Sequence, residues 1–414
     1  GYLRPVRGIV STAISALAAG KKGVVCSVEN LPELSSFLRL IQHQGRTLQV
    51  FAAHHLRDVL GWLWSGDPSR LERLQVAEGE EPEPLVARPD FDDMILDEAT
   101  LLAAEVAATG GHHILIRGTP GCGKSMFAAR LRSLLPPMAP DEHLAALRIH
   151  SSYQHRVHPE LLAGLPPIRA PHHSASAEAL LGGAQRPGEL SLAHGGLLFL
   201  DELPEFRRNL IETLREPLEA GVVHISRAKA KLELPAKIML VAACNNCPCG
   251  WTGSRQRLCL CPQPRVQAYQ SKLSGPLLDR IDMHISMPEL AARETHFLTH
   301  LNKAQGRTQQ MRDRVRKAIE FAAARNKSLG AGRNRDLDGG KITAASGLSA
   351  ARLQILLDKV LPDQVTTRAT IASLRVARSV ADLEGCQELK EKHLATAWGW
   401  QDGTCHSILG RSQV

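Results

Sequence analysis

Long apolar runs, a signal sequence and internal repeats are all missing from the 414 residues of this chain. Its apolar stretches fall far short of the roughly 20 residues that a membrane-spanning helix needs. The first residues contain none of the charged, apolar and small-residue zones that make up a signal peptide. The sequence therefore predicts a cytoplasmic protein without a membrane partner.

The composition is that of an ordinary globular protein with a basic excess. A chain of 414 residues with 43% hydrophobic content predicts two or three domains. The net charge of +8 is compatible with a polyanionic partner, although nucleotide binding alone explains some of the basic side chains. Four of the nine cysteines cluster, which favours a metal site over disulfides.

A complete phosphate-binding pattern, GTPGCGKS, follows the apolar run 113–116. Strand, glycine loop and apolar helix (126–135) come in the order that such a loop requires, which disfavours a chance glycine turn ending in Lys-Ser. Backbone N–H groups of the loop would form an anion site at the start of the helix. The predicted nucleotide-binding residues are Gly118, Thr119, Pro120, Gly121, Cys122, Gly123, Lys124 and Ser125, with Lys124 on the β- and γ-phosphates and Ser125 on Mg²⁺.

A second acidic site follows the apolar run 196–200, which ends in Asp201 and Glu202. An uninterrupted apolar run suits a strand buried on both faces of a parallel sheet, and ligands bind at the carboxyl end of such strands. We expect Asp201 to hold Mg²⁺ through water and Glu202 to polarise the attacking water. The structural alternative is a helix cap followed by a first-turn acid.

The chain divides into four segments by composition and pattern. Residues 1–76 form a small α/β unit with a helix at 12–20, a strand at 23–27 and a helix at 56–64. An acidic, proline-rich linker covers 77–90. From 91 to 288 a helix (94–108) and then alternating strands and helices predict a mainly parallel sheet, and 289–414 is helical throughout.

Four long motifs resemble the ComM family, also called YifB or magnesium chelatase-like proteins. They are RAPHHSASAEALLGG (169–183), PGELSLAHGGLLFLDELPEF (187–206), CNNCPCG (244–250) and LSGPLLDRIDMHI (273–285). The resemblance covers nearly the whole chain. It implies an AAA+ P-loop core with a helical lid, ATP hydrolysis, a homo-hexamer, and action on DNA branch migration during natural transformation and recombination.

The resemblance also implies catalytic roles for two residues of the core. Asn245, at the end of the strand 238–244, would orient the attacking water, since an amide both donates and accepts. Arg280 in LLDRID would be the arginine finger on a neighbouring subunit's γ-phosphate. The alternative for Arg280 is a helix-end salt bridge with Asp279 or Asp282.

A further arginine is implied in the helical segment. Arg368 in TTRATIASLRVAR would be the lid's sensor arginine. Arg375 and Arg378 lie on the same helix and are the alternatives.

The first segment resembles the C-terminal part of a Lon-type protease domain. The resemblance rests on GYLRPVRG, the Ala-rich helix and the strand before Glu29-Asn30. Counting back from Asn30, Thr12 falls where Lon proteases carry their catalytic lysine, and a threonine cannot act as that general base. We therefore expect a non-proteolytic scaffold.

The clustered cysteines form the pattern C-x-C-x9-C-x-C, which supplies enough thiolates for one tetrahedral zinc ion. The predicted ligands are Cys247, Cys249, Cys259 and Cys261. Because C-x-C is tighter than the usual C-x2-C, a reduced cluster without metal is the alternative. His172 and His173 lack a third ligand nearby, so we expect structural hydrogen bonds for them.

Residues 222–226 and 231–234 are predicted to be the arms of a hairpin. In a hexameric ring the tip would project into the pore, where Arg227, Lys229 and Lys231 would contact DNA phosphates without reading bases. A merely solvated tip is the alternative.

Two other functions stay open at the level of sequence. One is a chelatase-type ATPase that remodels a protein partner instead of DNA. The other is a remnant that binds nucleotide without turnover, although its catalytic groups are intact. The predicted cofactors are ATP, Mg²⁺ and Zn²⁺.

Overall fold

A computed structural model describes residues 1–42, 45–75, 90–154, 156–183, 186–226, 231–289 and 306–401. Within these ranges the helices are all too short or too polar to cross a bilayer. The chain is a mixed α/β protein with a helical C-terminal region.

The N-terminal unit is a small three-stranded sheet covered by helices. Its elements are α1 (Ile9–Ala18), β1 (Gly23–Ser27), α2 (Leu31–Gln42), β2 (Gln49–Ala53), α3 (Leu56–Ser65) and β3 (Glu72–Arg73). Strands β1 and β2 pair in parallel, and β3 joins β2 in antiparallel fashion. The predicted strand and both predicted helices of this unit are confirmed, with α1 beginning three residues before the expected start.

The central unit is built on a five-stranded sheet in which every pairing is parallel. From one edge to the other its strands are β10 (Met283–Ser286), β4 (Ile114–Arg117), β9 (Met239–Cys244), β6 (Leu197–Leu200) and β5 (Ile168–Arg169). The helices of this unit are α4 (Glu98–Gly110), α5 (Lys124–Leu131), α6 (Pro140–Tyr153), α7 (Pro159–Leu162), α8 (Ala177–Leu181), α9 (Glu189–Leu192), α10 (Arg208–Thr213), α11 (Arg215–Ala220), α12 (Gln263–Gln270) and α13 (Gly275–Leu278). The other strands of this unit are β7 (Val222–Ser226) and β8 (Lys231–Pro235). Every residue of β6 and β9 is buried, which is why both strands are apolar without alternation. The predicted parallel sheet is confirmed.

The N-terminal unit has its own hydrophobic core, to which a segment of the central unit contributes. Helices α6 and α7 pack against the N-terminal unit, so that Leu147 and Leu161 belong to the same buried cluster as Leu34 and Phe37. The Ser36 hydroxyl donates to the carbonyl of Leu162 at 2.8 Å. A segment that follows the glycine loop in sequence is therefore part of the N-terminal unit in space. The predicted linker falls almost wholly on 76–89, outside the described residues.

The C-terminal region is a bundle of helices that packs on α4 and on the central sheet. Its helices are α14 (Arg307–Ser328), α15 (Gly339–Ala345), α16 (Ala350–Val360), α17 (Thr367–Leu383) and α18 (Glu391–Gln401). Its apolar side chains, among them Trp400, merge with those of β4 and β9 in one cluster. The helical character predicted after residue 289 is confirmed for the described residues.

A buried polar junction, consisting of His112, Asp282, Asn334, Ser379 and Asp382, joins this bundle to the central unit. His112 Nε2 lies 2.8 Å from the Ser379 hydroxyl, and its Nδ1 lies 3.6 Å from Asp282. Asn334 donates to Ser379 at 2.9 Å and to Asp382 at 2.7 Å. Because these groups are buried, their hydrogen bonds set the position of α17 against the amino ends of β4 and β10.

Candidate functional site

The glycine loop lies between the end of β4 and the first turn of α5. Gly121 and Gly123 have φ values of +83° and +91°, which residues with a side chain rarely adopt. Gly118 is packed so closely that a Cβ would lie 2.7 Å from the sulfur of Cys122. The sequence folds this way because its glycines supply the tight turn that directs backbone N–H groups toward the start of α5.

Lys124 is buried at the mouth of this loop. Its ammonium group donates to the carbonyls of Gly118 at 3.0 Å and Thr119 at 2.9 Å, and to Asn245 Oδ1 at 3.0 Å. All three acceptors are neutral, and none of these contacts is with a carboxylate. The arrangement fits the binding of phosphate oxygens at this loop.

Ser125 and Asp201 meet across the carboxyl edge of the sheet. The Ser125 hydroxyl donates to Asp201 Oδ2 at 2.6 Å. Ser125 is in the first turn of α5, which follows β4, and Asp201 directly follows β6. Both strands pair with β9 in parallel, so their carboxyl ends lie at the same edge of the sheet. A hydroxyl and a carboxylate are oxygen ligands of the kind that Mg²⁺ binds beside a phosphate.

Glu202 has an unusual backbone conformation. Its φ of +51° makes it the one non-glycine residue with positive φ in the described part of the chain. Backbone strain of this kind concentrates at functional sites. The half-exposed carboxylate lies 3.3 Å from His173 Nδ1, and that ring stacks on His172 with centroids 4.0 Å apart.

The contact between His173 and Glu202 was missed by sequence reasoning, which expected only structural hydrogen bonds for both histidines. The available signal was the position of His173 just after β5, because β5 pairs with β6 and β6 leads into Glu202.

Arg280 and Arg368 lie together at the opposite edge of the sheet. Arg280 comes before the amino end of β10, whereas Lys124 comes after the carboxyl end of β4. Because β10 and β4 run in parallel, the two side chains lie at opposite edges of the sheet. Both arginines donate to the carboxylate of Glu219, Arg280 through a very short contact and Arg368 at 3.3 Å. In one chain the structure thus brings the two arginines to each other and away from the glycine loop. Glu219 was not predicted, and nothing in its local sequence marks it.

The other two arginines of α17 have partners inside the bundle. Arg375 donates to the carbonyl of Leu337 at 2.5 Å, and the fully buried Arg378 contacts Asp382. These contacts leave Arg368 as the α17 arginine beside Arg280.

The four clustered cysteines converge as the spacing predicts. The sulfur of Cys247 lies 3.4 Å from that of Cys249 and 3.6 Å from that of Cys259, and all four sulfurs, with Cys261, lie within 4.8 Å of one another. A tetrahedral zinc site with zinc–sulfur bonds of about 2.3 Å needs sulfurs about 3.8 Å apart. Burial opposes ionisation of Cys247, but hydrogen bonds with Thr252, Cys249 and Cys259 together outweigh burial and lower the pKa of that thiol to about 6. The group can therefore hold a metal ion.

The predicted hairpin forms from β7 and β8, which pair in antiparallel register with Ser226 opposite Lys231. Arg227 and Lys229 lie outside the described residues, and Lys231 is the first residue of β8.

Comparison with known proteins gives similarity over nearly the whole of this chain, which spans about three quarters of the length of the relatives. The family described as "Magnesium chelatase, subunit ChlI" matches residues 90–295, and "Magnesium chelatase, subunit ChlI C-terminal" matches residues 305–401. The uncharacterized protein YifB of Salmonella typhimurium is 36% identical over 405 residues, which are 96% of this chain and 74% of that protein. The competence protein ComM of Haemophilus influenzae is 35% identical over 405 residues, covering 97% of this chain and 75% of that protein. The uncharacterized protein Rv2897c of Mycobacterium tuberculosis is 36% identical over 389 residues, 93% of this chain and 73% of that protein. With the glycine loop, the acidic strand end and the arginines in place, this chain belongs to the ComM and YifB family of magnesium chelatase-like proteins.

Proposed function

We propose that this protein is an AAA+ ATPase that assembles into a hexameric ring and drives branch migration of DNA in natural transformation and recombination. The observation that carries the proposal is the division of polar and charged groups between the two edges of the sheet. Lys124, Ser125, Asp201 and Asn245 lie at the carboxyl edge, and Arg280 lies at the amino edge beside Arg368.

At the carboxyl edge each residue has a distinct task. Lys124 binds the β- and γ-phosphates together with the backbone N–H groups of residues 118–123. Glu202 polarises the attacking water, and Asn245 orients it. Ser125 and Asp201 would hold Mg²⁺, which would neutralise negative charge that develops on the phosphates.

The arginines act between copies. A side chain at the amino edge of the sheet is separated from its own glycine loop by the length of a strand, so Arg280 and Arg368 serve a nucleotide bound to a neighbour. Such a contact is heterologous, and repeated around a closed ring it gives every copy one complete site. The bundle 289–414 is the lid of the AAA+ core 91–288, and residues 1–76 are a Lon-like scaffold joined to it by 77–90.

The cysteine group is proposed as a structural zinc site. Its sulfur spacing supports four-coordinate zinc bound by Cys247, Cys249, Cys259 and Cys261. The metal would stabilise a segment that has no helix or strand between β9 and α12.

DNA is the proposed partner of the ring. Support comes from the net charge of +8, from the hairpin that carries Arg227, Lys229 and Lys231, and from the relative named competence protein ComM. Six copies of these side chains around a pore would neutralise several phosphates, so binding should be salt-sensitive and nearly independent of sequence. A chelatase-type ATPase that remodels a protein partner is the second candidate, favoured by the matched chelatase families.

The nucleotide site is tested by two variants that separate binding from turnover. Lys124→Ala should abolish ATP binding, whereas Glu202→Gln should bind ATP but barely hydrolyse it, because only the latter keeps the phosphate contacts. Binding of a fluorescent ATP analogue and phosphate release give the two readouts. Equal loss of ATP affinity in both variants would contradict the assigned roles.

Action between copies is tested by mixing inactive variants. Arg280→Ala subunits combined with Lys124→Ala subunits should recover part of the ATPase, since some interfaces pair an intact loop with an intact arginine. No recovery despite demonstrated co-assembly would give Arg280 a structural role.

The DNA partner is tested with the triple variant of Arg227, Lys229 and Lys231 to Ala. It should lose DNA binding and DNA-stimulated hydrolysis and retain basal ATPase, because no catalytic group is changed. If single-stranded, duplex and branched DNA neither bind the wild-type ring at low salt nor change its ATPase, the protein-remodelling candidate replaces the DNA motor.

A further inference from the structure

Glu219 is the meeting point of the two amino-edge arginines. Its Oε2 accepts from Arg280 Nη2, and its Oε1 accepts from Arg368 Nη2 at 3.3 Å. Arg280 comes from the loop between α13 and β10, whereas Arg368 is the second residue of α17, so the carboxylate joins the central unit to the bundle. Without an anion between them, two guanidinium groups in this position would repel each other.

Arg280 is largely buried, whereas Glu219 is largely exposed. Arg280 is anchored, since its side chain is 15% exposed and donates to the carbonyl of Pro276 at 2.7 Å. The side chain of Glu219 is 58% exposed. The carboxylate can therefore move into solvent at small cost, whereas the arginine it neutralises stays in place.

The space in front of the pair suits a larger anion. A cavity of about 550 Å³ is lined by Glu219, Arg280 and Arg368, by the basic side chains Lys237, Arg335 and Arg375, and by the acidic side chains Asp279, Asp282 and Asp336. When Glu219 turns away, five basic side chains face three acidic ones. The Arg280 Nε is also buried and without a hydrogen-bond partner among the described residues. A phosphate group offers more charge and more acceptor oxygens than a carboxylate, and arginine forks bind it in bidentate fashion.

We infer that Glu219 occupies the place that the γ-phosphate of a nucleotide on a second copy takes when the ring assembles. The inference rests on the proposed function. It adds that each copy contains an anion, the Glu219 carboxylate, that competes with the neighbour's γ-phosphate for the two arginines. In the isolated chain Glu219 satisfies both arginines. On assembly the neighbour's triphosphate displaces the carboxylate, which turns out to solvent.

An interaction that exists only in the isolated chain opposes assembly, so its removal should favour the ring. Glu219→Gln keeps the size of the side chain and removes its charge. With a slowly hydrolysed ATP analogue, the protein concentration at half-maximal assembly should fall about threefold to tenfold, as expected for two partly exposed ion pairs. Sedimentation velocity measures the distribution directly, and ATPase activity against protein concentration should shift in parallel with an unchanged plateau.

The matched control is Glu216→Gln on the same helix, whose side chain is 73% exposed and contacts neither arginine. It should assemble like the wild type. In an Arg280→Ala background, where only the pair with Arg368 remains, Glu219→Gln should shift assembly by less than it does in the wild type. If Glu219→Gln does not fold, Glu219→Asp, which keeps the charge and shortens the side chain, should shift assembly in the same direction by less.

The outcomes separate this inference from the proposed function. If Arg280→Ala abolishes ATPase but Glu219→Gln assembles like Glu216→Gln, the competition is wrong and the arginine role stands. If Glu219→Gln raises the protein concentration at half-maximal assembly, Glu219 only stabilises the contact between the central unit and the bundle within one chain, and the competition is wrong. If Arg280→Ala changes neither assembly nor ATPase, the proposed action between copies fails.

Discussion

Replacement of Asp382 tests the buried polar junction. Asp382 is 2% exposed and accepts from Arg325 at 2.7 and 2.8 Å, from Arg378 at 3.1 Å and from Asn334 at 2.7 Å. Arg378 is itself fully buried. Asp382→Ala therefore removes the carboxylate that neutralises a buried guanidinium and half-buried Arg325.

Breaking a buried ion pair by removing one partner destabilises a protein by roughly 3–5 kcal/mol. Arg378 keeps its bond to the carbonyl of Gln387 at 2.7 Å, which places the expected loss near the lower half of that range. We expect Asp382→Ala to lose about 3–4 kcal/mol and, for a chain of this length, to lower Tm by about 4 °C. Asp382→Asn keeps the shape and one acceptor, so its loss should be smaller.

Urea unfolding followed by tryptophan fluorescence measures this loss, because Trp400 on α18 is buried against the bundle. The control is Asp313→Ala, a half-exposed carboxylate 3.4 Å from Arg316 on α14. It should change the free energy of unfolding by less than about 0.5 kcal/mol. An Asp382→Ala variant that unfolds within about 1 kcal/mol of the wild type would refute the importance assigned to the junction.

Three further results are expected. Burial raises the pKa of Glu105 to about 7 despite Arg314 at 2.7 Å. The folded chain therefore holds a proton that the unfolded chain loses near pH 4.5. The free energy of unfolding should fall by up to about 3 kcal/mol as the pH rises from about 5 to about 8. Glu105→Gln should abolish that fall in urea titrations at the two pH values. Purified wild-type protein should contain about one zinc per chain, and Cys247→Ser with Cys259→Ser should contain none by metal analysis. Gly118→Ala should weaken ATP binding about tenfold, because the added Cβ would lie 2.7 Å from a sulfur atom; unchanged affinity would contradict the tight packing of the loop.

Local patterns predicted the elements that carry the nucleotide site. The glycine loop and the apolar runs before it and before Asp201 specify strand, turn and helix within a few residues, and parallel pairing then brings Ser125 and Asp201 together. The cysteine spacing likewise predicted a group that the fold closes. These features depend on short stretches of sequence or on strand ends that any parallel sheet aligns.

The contacts that were missed join distant parts of the chain. Glu219 and Arg368 are separated by 149 positions, and neither sequence context indicates the other. The apolar face of α6 shows that the helix is buried but not that it is buried against Phe37 in another unit. A hydrophobic pattern reports burial, whereas the identity of the neighbour depends on how whole units pack.

The core that α6 and α7 share with the N-terminal unit has a mechanical consequence. Ser36 is bonded to Leu162 at the end of α7, only a few residues before β5, and β5 leads directly to the His173 that contacts Glu202. A displacement of the N-terminal unit would be transmitted through the hydrogen bond between Ser36 and Leu162, and then along the short stretch of chain to His173, to the segment beside Glu202. The N-terminal unit is thereby coupled mechanically to the segment that contacts Glu202.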